Sequence, residues 1–213
     1  MSGYLDHDYE FLFKVSPGDV VVDVGAGPCG EFTQSVLDRA SIVVAIEPYS
    51  KNLRRLHELF GCDPKVVIVG KAVWFRSGDG LLNFEPKGWD GGCSMVCPLS
   101  EKERVKVDTL DNLVGELDLK RIDFLKMDVE GAELEALECA NRTLAMTRHV
   151  VVAAYHLRDG RNTCDWVEKL LGACGFRTIV HETPPGMPLV YGTREAVEVG
   201  ARKQNLKITA DNG

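Results

Sequence analysis

The run Asp23-Val24-Gly25-Ala26-Gly27-Pro28-Cys29-Gly30 closes one apolar stretch of the chain, and Lys126-Met127-Asp128-Val129-Glu130-Gly131-Ala132-Glu133 closes another. A Gly-rich turn directly after a strand lets the backbone approach a ligand closely. Acidic residues at the end of a second strand put reactive groups beside it. In an open α/β sheet, ligands sit at the carboxyl ends of the strands. The two ends therefore point to one site, with a cofactor on one side and chemistry on the other.

The spacing of the remaining elements supports such a sheet. Residues 20–24, 41–46 and 65–69 are short, continuous apolar runs. Continuous valine without polar alternation suits strands covered on both faces. Between them, Phe32, Val36, Leu37 and Ala40, then Leu53, Leu56, Leu59 and Phe60, fall at helical spacing, with Gly61 as a stop. Strands four and five are expected over 122–129 and 149–156, separated by a helix carrying Leu134, Leu137 and Leu144. A further helix carries Trp166, Val167, Leu170, Leu171 and Cys174. The last two strands, 177–182 and 188–193, are joined by Thr183-Pro184-Pro185-Gly186-Met187, which is too short for a parallel crossover. The fold class is thus α/β: Rossmann-like, doubly wound, a mostly parallel seven-stranded sheet with a reversed terminal strand. Around 77–80 the turn residues suggest a hairpin, followed by a long loop of the kind that often serves as a lid.

The 213 residues suit one domain, and a 45% hydrophobic content suits a real core. The net charge of −7 disfavours nucleic acid and anionic membranes as partners, because both demand Lys/Arg patches. Lys51, Arg54 and Arg55 form only a small local patch. Seven cysteines occur with no CxxC pair, so free thiols in a reducing compartment are expected. The opening MSGYLDHDYEFLFK is acidic and polar, and no apolar run approaches the ~18 residues of a membrane span. A cytoplasmic protein acting on a small molecule is expected.

Gly25-x-Gly27-x-x-Gly30 matches a dinucleotide fingerprint, which alone discriminates little. Asp23 sharpens it. A carboxylate there repels a pyrophosphate but suits an ammonium or sulfonium. Glu47, at the end of the second strand, can accept both hydroxyls of an adenosine ribose. S-adenosylmethionine meets both carboxylates; a nicotinamide dinucleotide meets only Glu47.

Taken in order, Val22–Gly27, Ala45-Ile46-Glu47-Pro48 and Asn52-Leu53, Lys71-Ala72-Val73, Val107-Asp108-Thr109-Leu110-Asp111 and the block from Ile122 to Glu133 resemble the FkbM-type S-adenosylmethionine-dependent methyltransferases. The resemblance covers roughly residues 15–182, and the KMDVEGAE block is its most specific part. It implies the class I methyltransferase fold over 17–194, with an N-terminal arm or helix at 1–16, a lid or loop insertion at 74–104 and a polar tail at 195–213. It implies S-adenosylmethionine as cofactor, S-adenosylhomocysteine as product, and a cofactor site formed by Asp23, Gly25, Ala26, Gly27, Glu47, Pro48, Lys71, Ala72 and Asp128. It also implies O-methylation of a small or medium-sized metabolite, sugar- or polyketide-like.

Lys126 is an odd cation in an apolar strand, with Asp128 its nearest same-face neighbour in sequence. Asp128, Glu130 and His156 are the expected catalytic residues, with His156 as the proton acceptor because its ordinary pKa lies near neutrality. Glu133 opens the next helix, where a carboxylate suits the dipole. Gly91-Gly92-Cys93-Ser94 resembles a small-residue loop of the family that lines the substrate pocket. Family members often carry Glu-x-His at the end of the fifth strand; here Ala154-Tyr155-His156 stands instead. No metal is assigned to these residues on that basis. An NAD-dependent oxidoreductase and an inactive cofactor-binding module are the competing readings.

Overall fold

The computed structural model describes residues 8–87, 92–182, 186–195 and 207–208. Valine-rich segments become the centre of the sheet. β1 (Val20–Val24), α1 (Glu31–Val36), β2 (Ile42–Ile46), α2 (Ser50–Phe60) and β3 (Val66–Val69) alternate along the chain. A small unit follows, made of β4 (Ala72–Val73), β5 (Gly78–Phe84) and β6 (Glu101–Asp108). Then come α3 (Leu110–Glu116), β7 (Ile122–Met127), α4 (Glu133–Glu138), α5 (Asn141–Ala145) and β8 (Thr147–Ala153). The chain continues through β9 (Leu157–Arg158), β10 (Arg161–Asn162), α6 (Cys164–Ala173), β11 (Arg177–Glu182), β12 (Pro188–Thr193) and β13 (Lys207–Ile208).

The main sheet has the order β13-β11-β12-β8-β7-β1-β2-β3. Five strands, β3, β2, β1, β7 and β8, run parallel. β12 is reversed against both β8 and β11, which is the expected closing hairpin. The two-residue β13 adds an eighth, outermost strand beside β11.

Both faces are covered. On one, Val22, Val24, Leu125, Met127, Val150 and Val152 pack under α3 to α6, through Leu113, Leu137, Leu144, Val167 and Leu171. On the other, Val21, Val43, Phe124, Val151 and Tyr191 meet Phe32 and Val36 of α1. Residues 8–15 run over this second face. Val15 is buried there, Tyr191 donates to the Asp8 carbonyl at 2.7 Å, and Arg39 pairs with Glu10 at 2.7 Å.

Three expectations shift. Strand four ends at Met127 and strand five at Ala153, so Asp128, Glu130 and His156 stand on the loops just beyond the strand ends. The helix expected after strand four divides into α4 and α5. The residues around 77–80 form the start of a long strand instead of a tight hairpin. β5 pairs antiparallel with β6 from Gly78↔Val107 to Phe84↔Glu101. A Cβ at Gly80 would lie 2.6 Å from Val107, so the glycine there serves packing and not a turn. Residues 88–91 of the 74–104 segment lie outside the described residues. So do 1–7, most of 195–213 and Thr183-Pro184-Pro185.

The turn after β1 is wedged against the end of β7. Gly25 has φ 79, and a Cβ built on it would lie 1.8 Å from the carbonyl oxygen of Asp128. Backbone cannot yield as a side-chain tip can. Gly25→Ala should therefore destabilise the fold by about 2–4 kcal/mol in urea denaturation. A loss under about 1 kcal/mol would show that the turn is not pinned there.

Candidate active site

The carboxyl ends of β1, β2 and β7 open onto one cavity. Gly25 and Gly27 form one wall, Glu47, Pro48 and Asn52 a second, and Asp128, Val129 and Glu130 a third; Lys71, Ala72, Cys93 and Met95 complete it. This is where a parallel sheet leaves room for a ligand.

Glu47 is 4% exposed. Its Oε2 accepts from the Gly27 amide at 2.9 Å and its Oε1 from the Tyr49 amide at 2.8 Å. Burial pushes its pKa up to about 7, against those amide bonds and Asn52, which favour the ionised form. A carboxylate has about four lone-pair sites; the two amides and Asn52 take three, which leaves one for a ligand hydroxyl.

Asp23 is placed elsewhere than expected. It is wholly buried, and Lys126 Nζ lies 3.0 Å from its Oδ1. Its Oδ2 accepts from the Thr33 hydroxyl at 2.8 Å. Lys126 also donates to the Gly25 carbonyl at 2.6 Å. Asp23 and Lys126 are register partners on adjacent strands. That proximity brings Lys126 to Asp23 and not to Asp128, its neighbour in sequence. Both oxygens of Asp23 are thereby engaged inside the sheet, and its side chain does not line the cavity. Ala26 is likewise off the cavity, packed against Leu56 and Phe60 of α2.

Beyond β7 the expected acidic cluster assembles. His156 Nε2 lies 3.2 Å from Glu130 Oε2 and 3.7 Å from Asp128 Oδ1, and its Nδ1 lies 2.8 Å from Glu133 Oε1. Asp128 Oδ2 accepts from the hydroxyls of Tyr9 at 2.6 Å and Tyr155 at 3.3 Å. Glu130 adopts φ 53, uncommon for a residue with a side chain, and its carbonyl accepts from the Ser94 hydroxyl at 2.6 Å. Burial favours a neutral His156, but the carboxylates of Glu130, Glu133 and Asp128 outweigh it and hold its pKa up at about 11. The ring is therefore an imidazolium at neutral pH. That revises its expected part as proton acceptor. Burial also raises the Glu130 pKa, assisted by the Asp128 charge and opposed by His156.

Lys71 reaches the cavity wall, but its ammonium is held by Asp108 at 2.9 Å and Glu116 at 3.2 Å. Ser94 is 2% exposed and shapes the loop under Glu130; Gly91 lies outside the described residues. Sequence reading assigned no site role to Tyr9 and Met95, and Asn52 stood only within the family motif. Tyr9 had one signal, its place in an aromatic-rich opening segment. None of the seven cysteines is in a disulfide. Among the described residues no helix is long and apolar enough to cross a membrane.

A profile described as Methyltransferase FkbM domain matches residues 23–178. The AMB antimetabolite synthetase AmbE of Pseudomonas aeruginosa is 27% identical over 223 residues, covering 84% of this chain. The chain spans only 10% of that protein's length. The crystal structure of Methyltransferase FkbM from Methylobacillus flagellatus superposes with a TM-score of 0.62 at 21% identity, covering 86% of this chain and 45% of that one. Aeropyrum pernix fibrillarin, solved with natively bound S-adenosyl-L-methionine, superposes at 0.53 and 14% identity, covering 84% and 68%. These likenesses agree on the class I methyltransferase fold and favour methyl transfer over the nicotinamide alternative.

Lys126 and Asp23 are 5% and 0% exposed, so removing either partner strands a buried charge. Lys126→Met should cost about 3–5 kcal/mol of stability. The companion Asp23→Asn/Lys126→Met variant should recover part of that loss. Additive losses in the double variant would contradict the pairing.

Proposed function

Because the chain belongs to the FkbM methyltransferase family, we propose that it transfers a methyl group from S-adenosylmethionine to an oxygen of a small or medium-sized metabolite, sugar- or polyketide-like. S-adenosylhomocysteine is the second product. The observation that carries this reading is a single cavity whose walls hold Glu47 at one end and Asp128 with Glu130 at the other. The likeness to an antimetabolite synthetase supports a biosynthetic metabolite as acceptor.

Bound S-adenosylmethionine would supply an electrophilic methyl on a sulfonium. Glu47 would hold the ribose through the acceptor site that its other bonds leave open, with Pro48 and Ala72 beside it. Gly25 and Gly27 give backbone surface without side chains in the way. Asp128 and Glu130 place negative charge opposite a cationic ligand, the part expected of Asp23 from sequence. Methyl transfer is an in-line displacement, so positioning supplies much of the acceleration. The acceptor hydroxyl must also lose a proton. Glu130, with its raised pKa, is better matched to take it than an imidazolium. His156 holds the two carboxylates in place, and Tyr9 and Tyr155 fix Asp128.

Calorimetric titration tests the reading. S-adenosylmethionine and S-adenosylhomocysteine should bind in the micromolar range and NAD should not; the reverse would overturn the assignment. Glu47→Ala should weaken cofactor binding roughly ten- to a hundredfold, because a charge-assisted hydrogen bond is lost. Unchanged affinity would remove Glu47 from the site.

The pKa of Glu47 gives a sign for pH. Its folded value, about 7, is raised above the ordinary 4.5. The folded state therefore holds a proton that the unfolded chain has released, and this group's contribution to stability falls as pH rises from 4.5 to 7. A ribose hydroxyl donates to the ionised carboxylate. Cofactor affinity should therefore rise between pH 6 and pH 8 and level off above, in calorimetry across that range. Affinity falling over the same interval would contradict the ribose role.

A further inference from the structure

Asp128, Glu130 and Glu133 place three carboxylates around one imidazole. The nearby cations are committed elsewhere. Lys126 is bound to Asp23 and the Gly25 carbonyl. Arg158 is bound to Glu135 at 2.9 Å and to the Gly131 carbonyl at 2.8 Å. Three carboxylates against the one imidazolium of His156 leave the cluster with an excess of negative charge in a half-buried place, which a further cation would offset.

Its polar atoms are also incompletely satisfied. The His156 side chain is 10% exposed, and its ring nitrogens meet Glu130 at 3.2 Å and Glu133 at 2.8 Å as ion pairs, without aligned hydrogen-bond geometry. Asp128 Oδ1 is buried without a hydrogen-bond partner, while Oδ2 is held by the two tyrosine hydroxyls. Buried polar atoms in that state ask for an explanation, of which an ion is one.

We propose that Asp128 Oδ1, Glu130 Oε2 and His156 Nε2 form a binding site for one divalent first-row cation. The three atoms all lie within 4.8 Å of one another. Nε2 is 3.2 Å from the Glu130 oxygen and 3.7 Å from the Asp128 oxygen. Two donors each about 2.1 Å from an ion stand about 3.0 Å apart at a right angle and about 3.4 Å apart at the tetrahedral angle. The 3.2 Å separation falls between the two, and the 3.7 Å separation lies about 0.3 Å beyond the tetrahedral one. Two carboxylates and one imidazole form a hard, nitrogen-bearing donor set, which suits Mn2+ better than the all-oxygen preference of Mg2+. Nε2 must give up its proton to serve as a donor, so cation uptake releases one proton to solvent; Glu133 on the opposite ring nitrogen orients His156 toward the site. The left-handed backbone at Glu130, buttressed by Ser94, turns its carboxylate into the cluster. Ala154, where the family resemblance would place a carboxylate, packs in the apolar core, and the three-donor set is complete without it.

Three protein donors leave coordination positions free. Asp128 and Glu130 also line the cavity, so an acceptor hydroxyl could occupy one of them. With the cation bound, Glu130 would act as a ligand in place of its part as base; the cation would lower the pKa of that hydroxyl, hold its oxygen in place and let its proton pass to solvent. This catalytic part rests on the methyl-transfer reading above; the binding site itself does not.

The test is titration of the chelator-treated full chain with Mn2+, followed by calorimetry and by the electron paramagnetic resonance signal of free Mn2+. One equivalent should bind. Glu130→Gln and Asp128→Asn should each weaken binding roughly tenfold or more. Glu135→Gln, a nearby carboxylate paired with Arg158, should leave it unchanged. Glu130 is the more exposed ligand, and circular dichroism on its variant confirms folding. Failure to bind at millimolar Mn2+, or binding that survives Glu130→Gln in a folded protein, would overturn the site. Titrating the same metal-free protein with S-adenosylmethionine separates the two claims. Cofactor binding without Mn2+ binding sinks only the cation site. Mn2+ binding without cofactor binding sustains the site and sinks the methyl-transfer reading.

Discussion

The Asp23–Lys126 pair joins the two central strands at the point where the cavity opens. Two buried charges at 3.0 Å carry a large desolvation cost. That cost is offset here because their hydrogen-bonding atoms are engaged by groups of the fold itself. Thr33 from α1 donates to Asp23, and the Gly25 carbonyl accepts from Lys126. The Lys126 ammonium also lies over the Tyr9 ring, 5.2 Å from its centre. One ion pair therefore ties together β1, β7, α1, the glycine turn and the N-terminal segment. The cavity wall built by Gly25, Gly27 and Asp128 has its shape because these pieces are fixed together.

The pair also sorts the charges of the site. With Lys126 and Asp23 neutralising each other inside the sheet, negative charge is left outside it, at Asp128, Glu130 and Glu133. Glu47 stands apart on the neighbouring strand end, in a drier place that raises its pKa. The carboxylates thus divide by environment into a structural one, one for a ribose, and a group at the acceptor side. Tyr9 belongs to this arrangement. It reaches Asp128 from residues 8–15, which cross the second face of the sheet under the anchors at Val15, Glu10 and Asp8.

Most of the fold was legible because it is written in local patterns. Unalternated valines mark doubly covered strands, and the short connection near Gly186 demands the antiparallel pairing of β11 with β12. The two strand ends that form the site were legible for the same reason. Pairings across strands were harder to read. Lys126 suggested Asp128 by sequence, whereas lateral register supplies Asp23, and nothing in one strand reveals its neighbour's register. His156 was found, but its protonation depends on three carboxylates from the loop after β7 and the first turn of α4 converging on a ring from the loop after β8. Gly80 was read as part of a turn because a glycine required by packing against Val107 has the same one-letter signature as one required by backbone conformation, such as Gly78 with its φ of 138. Tyr9 was obscured because the path of the N-terminal segment is set by tertiary anchors.

The central claim is that one cavity holds the cofactor between Glu47 and the acidic cluster. A crystal structure of the protein grown with S-adenosylhomocysteine tests it most directly. The account predicts a ribose hydroxyl on Glu47, the ligand backbone along Gly25 and Gly27, and the sulfur facing Asp128 and Glu130. A nucleoside bound elsewhere, or one that breaks the Asp23–Lys126 pair to reach Asp23, would contradict it.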